Sequence, residues 1–122
     1  MAEETKKPEQ LAHGVKNITT ASIGTVLDTG PATITQILFT GAPTLYEQPT
    51  FDPTGIPNSG YFCITDEVAG LAPRVIYNVN GHINSGNSPH ATHKISGYSI
   101  PYAGNLVCRS CPAGATYSLT TA

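Results

Sequence analysis

The chain has 122 residues, enough for one domain and a single core without metal or disulfide staples. Charged residues make up only 11%, against about 25% in typical soluble domains. A net charge of −2, built from six Lys and Arg against eight Asp and Glu, supplies no basic stripe for nucleic acid. No apolar run has the length of a membrane span.

The charge is unevenly placed. Glu3, Glu4, Lys6, Lys7 and Glu9 fall in the first nine residues. Residues 1–12 therefore read as an extended, Pro-containing amino-terminal arm, and 13–122 as the folded domain. From Asn17 onward only Asp28, Glu47, Asp52, Asp66, Glu67, Arg74, Lys94 and Arg109 carry charge. Two explanations fit that depletion: a Thr, Ser and Asn surface, or a body covered by neighbours. The amino terminus has no apolar signal segment, so cytoplasmic synthesis is expected, with the three Cys kept as thiols.

From Gly14 onward, no stretch free of Gly and Pro exceeds nine residues, which leaves little room for ordinary helices. Runs rich in Thr, Ile, Val, Tyr and Phe predict strands at 22–28, 33–40, 61–66, 74–80, 93–100, 105–110 and 115–120, with a short eighth near Asn17. The expected fold is all-β: an antiparallel sandwich of seven or eight strands, jelly-roll or Ig-like. The run 33–40 alternates apolar residues on both parities and is expected to be buried on both faces. Asp28-Thr29-Gly30-Pro31 and Asn80-Gly81 are turn signals, the second of hairpin type. Leu106 and Cys108 share a face in one closing run; Ala115, Tyr117 and Leu119 share one in the next. With Cys111-Pro112-Ala113-Gly114 between them, the two runs predict a closing β-hairpin. The loop 42–60 is long for a compact domain and holds Tyr46 and Phe51, so a functional or self-packed loop is expected. The Asn- and Ser-rich loop 82–90 is expected to project as a tip.

The residues with most chemical potential are Cys108-x-x-Cys111 and His90-x-x-His93. Four such ligands suit tetrahedral zinc. Against zinc, strand parity starts Cys108 and Cys111 on opposite faces, and His-x-x-His works best on a helix. The preferred reading makes Cys108 a small core residue and Cys111 a turn residue, with no metal and no cofactor. Redox use of the Cys pair would need a helix N-terminus. A Cys63–Cys108 disulfide suits facing strands but not a reducing compartment. No nucleophile turn accompanies the carboxylates and His residues, so no catalytic set is expected. Asp28 and Asp52 read as Asx-turn residues, Asp66-Glu67 as a strand-end turn. His13, His82, His90 and His93 read as polar surface, and the Tyr residues as core or rim.

Two stretches carry a resemblance: Leu27-Asp-Thr-Gly-Pro31-Ala-Thr-Ile-Thr-Gln-Ile37-Leu-Phe-Thr-Gly-Ala-Pro43, and Ile100-Pro-Tyr-Ala-Gly104-Asn-Leu-Val107 with Ala115-Thr-Tyr-Ser-Leu-Thr120. Together they cover about a quarter of the chain. In them the chain resembles the small β-sandwich structural proteins of tailed-phage virions, most of all head decoration (cement) proteins; the Cys-x-x-Cys is not part of that pattern. The resemblance implies a non-enzymatic protein on the capsid surface of the virion, made in the host cytoplasm. It would bind across major capsid protein subunits as a dimer or trimer, with no direct nucleic acid and no membrane partner. Lys6, Lys7, Pro8 and Leu11 of the arm, with Tyr46 and Phe51, are the expected interface. Two other readings stay open: a neck, tail or fibre-associated virion module, and a stand-alone surface-glycan binding module.

Overall fold

The computed structural model describes residues 13–41, 47–80 and 94–122. The strands are β1 (Gly14–Ile18), β2 (Val26–Thr29), β3 (Ala32–Gly41), β4 (Thr50–Phe51), β5 (Pro57–Ser59), β6 (Tyr61–Glu67), β7 (Arg74–Asn80), β8 (Lys94–Tyr102), β9 (Asn105–Ser110) and β10 (Thr116–Thr121). One sheet runs β1-β10-β3-β8, the other β2-β9-β6-β7, and β4-β5 forms a small ribbon. Every pairing is antiparallel. Apart from the β6–β7 hairpin, each chain step between strands of the two large sheets crosses from one sheet to the other. That strand order is a double-sheet jelly roll, which decides between the two expected sandwiches.

Period-2 patterning explains which face of each strand is buried. In β10, Tyr117, Leu119 and Thr121 are buried while Thr116, Ser118 and Thr120 are half-buried. In β9, Leu106 and Cys108 enter the core, and Arg109 faces outward to carboxylates. Ile18, Ile34, Ile37, Tyr117 and Leu119 from the first sheet meet Phe62, Ile64, Leu106 and Cys108 from the second. Phe62 and Tyr117 stack across the sandwich at 3.8 Å with planes 6° apart. Phe39 and Tyr77 lean on the edges of that stack, Phe39 against Tyr117 at 5.4 Å and Tyr77 against Phe62 at 5.7 Å.

Three sequence expectations change. The closing hairpin is absent: β9 and β10 lie in different sheets, and the segment between them spans the sandwich with Cys111, Pro112 and Ala115 buried. β7 and β8 also lie in different sheets, while Gly81 of the Asn80-Gly81 turn signal lies outside the described residues. Residues 22–25 are not strand, because Thr19 and Ser22 cap a 3-10 turn at Thr20–Ser22: Ala21 N donates to Thr19 Oγ1 (3.2 Å) and Thr19 N to Ser22 Oγ (3.1 Å). Finally, β3 is not buried on both faces. Only Ile34 and Ile37 are fully buried, and they share the core because the pairing register shifts between Ile34 and Gln36.

Candidate functional site

At one end of the sandwich, the turns 30–31, 68–73 and 103–104 come together. Asp66, 2% exposed, organises them. Its carboxylate accepts from Ala103 N (2.9 Å), Gly104 N (2.8 Å) and Arg74 Nη2 (2.9 Å). Burial pushes the Asp66 pKa up, but the two backbone bonds and the arginine outweigh it and hold the carboxyl below its usual value. Gly104 is required here by close approach, since a Cβ would meet the Glu67 carbonyl and lie 2.8 Å from Val68 Cα. Gly30 N donates to Gly104 O at 2.8 Å, so the two stretches that carry the resemblance meet at this end.

Asp28 lies beside them, 2% exposed. Its Oδ2 accepts the Tyr102 hydroxyl and contacts His13 Nδ1 at 2.8 Å. Desolvation raises the Asp28 pKa; Tyr102, His13, Thr121 and Thr29 more than compensate and lower it. Burial and then the Asp28 hydrogen bond push the Tyr102 phenol above its usual range, so it keeps its proton and donates. Asp28 is thus a buried anchor for the start of β1, which corrects its reading as an Asx-turn residue. An open groove of about 520 Å³ lies here, lined by Pro31, Ala32, Thr33, Arg74, Pro101, Tyr102 and Ala103. The His13 ring meets the Asp28 carboxylate, which the Thr121 side chain also reaches.

The second feature lies on the outer face of the β2-β9-β6-β7 sheet. The loop 47–60 folds onto it, fixed by Glu47, whose Oε1 accepts from Gly60 N (3.1 Å) and Ala113 N (3.0 Å). Asp52 does make the expected Asx-turn, accepting from Thr54 N (2.9 Å) and Ile56 N (3.0 Å). It also reaches Arg109 at 3.2 Å, and Arg109 meets Glu67 at 2.5 Å. Between this loop and Ile23–Val26 runs a groove of about 430 Å³, floored by Val107 and the Arg109–Glu67 pair. Phe51 is 52% exposed and leans on Tyr61 at 5.8 Å.

The other expected interface residues, Lys6, Lys7, Pro8, Leu11 and Tyr46, lie outside the described residues, as do His90 and His93. Cys108 and Cys111 are both in the core, where the crossing turn rotates Cys111 back inward. Cys111 is thereby corrected from a turn residue to a core one. Their sulfurs lie 3.6 Å from Ser110 O and 3.8 Å from Ala115 O. Among the described residues no group of three or more His, Cys, Asp or Glu could hold a metal ion. Burial pushes Cys63 up to about 11 and both Cys108 and Cys111 up to about 12. All three are free thiols, and the thiolate is the reactive and ligating form. The native protein is therefore expected to release no colour with a thiol reagent at pH 8, and to titrate three thiols per chain once denatured.

No family model, curated protein or solved structure matches the chain. Sequence reasoning missed the Asp66 anchor, the Asp28–Tyr102–His13 link and the groove between Pro31 and Pro101. The one local signal for them was a proline beside a strand end in each resembling stretch.

Proposed function

We propose that the chain is a non-enzymatic structural component of a tailed-phage virion, a capsid decoration protein whose body packs among shell subunits. The observation that carries this reading is how the charges are used. Beyond Asn17, Asp28, Glu47, Asp52, Asp66, Glu67, Arg74 and Arg109 each bond to another group of the same domain. What faces outward is largely uncharged, and Val15, Ile23, Val26, Phe51, Leu71 and Val75 stand exposed among Thr, Ser and Asn. Depletion of charge with retained apolar side chains is the composition of an interface. A jelly roll suits the role, being two hydrogen-bonded sheets packed around one core. A protein that binds only the assembled shell adds its binding free energy to the shell's stability, and many copies make a modest affinity per copy sufficient.

The charged arm is assigned the reach between subunits. Deleting residues 2–12 is expected to abolish co-sedimentation with shells of the major capsid protein and to leave the melting transition in place. A truncated chain that decorates shells as well as the full chain would remove the arm from the interface. Copy number per particle decides the position. A number matching the shell subunits supports decoration, and one matching a neck ring or fibre set moves the protein to the tail.

A further inference from the structure

The groove between Pro31 and Pro101 begins where the arm joins the fold. We propose that it is the docking site of the chain's own amino-terminal arm, with Pro8 and Leu11 seated between the two prolines and Glu9 facing Arg74. The first argument is reach. His13, the residue that follows the arm, is held at 2.8 Å by the Asp28 oxygen that also takes the Tyr102 hydroxyl. Tyr102 lines the groove. The arm therefore starts one carboxylate away from a residue that lines the groove. Leu11 lies two peptide steps from that anchor, within about 8 Å, and Pro8 lies within roughly 18 Å.

The second argument is chemical match. Tyr102 is buried and its hydroxyl engaged by Asp28, so the groove offers mainly the exposed pyrrolidines of Pro31 and Pro101 with Ala103, and Thr33 beside them. Such a surface accepts Pro and Leu side chains and nothing that needs many hydrogen bonds. Among the described residues that line the groove, Arg74 alone is charged, and its side chain is 62% exposed. Its guanidinium has five donors, and Asp66 engages one end of it. Between Pro8 and Leu11 the sequence supplies one acid, Glu9, and no base.

The third argument is concentration. A segment tethered this closely sees its site at an effective concentration in the millimolar range, so a weak contact fills the groove and outcompetes a second copy at ordinary protein concentrations. In the free protein the arm is then parked, and any partner that engages it must first draw it off. This inference does not depend on the virion reading and is tested on the purified full chain alone.

The test is cleavage by a Glu-specific protease after Glu9, followed by mass spectrometry, with each rate taken relative to a free peptide of the same arm sequence. The wild-type arm is expected to be protected, to the same degree at all protein concentrations. Pro101→Glu in the groove and Leu11→Asp on the arm should each raise the relative rate by about tenfold, the effect of a contact near 1.4 kcal/mol. The double variant should cleave no faster than either single one. Ala103→Arg serves as a second block of the groove should Pro101→Glu lower the melting temperature. Equal relative rates in the wild type and in a folded groove variant would overturn the proposal. Protection that grows with protein concentration would also overturn it, by giving the groove to another copy's arm.

Discussion

Replacing Phe62 with alanine is expected to lower stability by about 3–5 kcal/mol, a large part of the 5–15 kcal/mol that holds an ordinary domain. Phe62 is fully buried, and the two sheets meet through its ring. Truncation removes the stacked contact with Tyr117 at 3.8 Å and the edge contact with Tyr77 at 5.7 Å. It leaves a cavity in the middle of the sandwich, where backbone on both sides is fixed by hydrogen-bonded strands. Collapse is therefore restricted, which places the loss toward the upper end for such changes. The melting temperature should fall by on the order of 15 °C. Phe62→Leu, which keeps most of the volume, should lose less than half as much. If Phe62→Ala melts within a few degrees of the wild type, the stacked pair is not the centre of the core.

The same residue shows what was legible in the sequence. Phe62 is assigned no face by the sequence, but alternation sets its stacking partner Tyr117 beside Leu119 and sets Leu106 beside Cys108, because a strand's side-chain period is local and needs no knowledge of its partner. Pairing is a different matter. The runs 105–110 and 115–120 look like the arms of a hairpin, and the Pro-Gly segment between them suits either a turn in the plane of one sheet or a crossing between two. Only the burial of Cys111, Pro112 and Ala115 between the layers distinguishes these. That burial depends on strands far away in sequence. For the same reason the parity argument about Cys111 did not survive, since parity ends where the strand ends, at Ser110.

The sites were less legible than the fold. Asp52 announced its Asx-turn through the neighbouring proline, because such a turn is made within four residues. Its second role, pairing with Arg109 57 residues later, left no local mark. Asp28 and Asp66 read like ordinary strand-end acids, yet both are buried and held by partners many residues away. A buried carboxylate is indistinguishable from an exposed one until its donors are known, and here several of those donors are backbone N–H groups.

Asp66 gives the second large effect. Asp66→Ala removes a carboxylate with three donors and leaves Ala103 N and Gly104 N without their acceptor at the most crowded turn of the fold. Breaking such a set from the buried side is expected to cost about 3–5 kcal/mol. Arg74→Ala removes the exposed partner of the same ion pair and should cost only about 0.2–1 kcal/mol. That contrast assigns the anchor to the backbone bonds; equal losses in the two variants, read from urea midpoints, would assign it to the ion pair. Acid should reproduce part of the Asp66→Ala effect. Asp66 and Asp28 both have folded pKa values below their ordinary 3.8, so the unfolded chain binds protons first as pH falls. Their stabilisation is fully present well above pH 3.8 and is lost as pH drops through that value toward the lower folded pKa values. The urea midpoint of the wild type should hold from pH 7 to about 5 and then fall steeply. Asp66→Ala should show a shallower fall, because one of the carboxylates with a lowered folded pKa is gone, and an undiminished fall would mean that Asp66 is not held in its charged form by Ala103, Gly104 and Arg74.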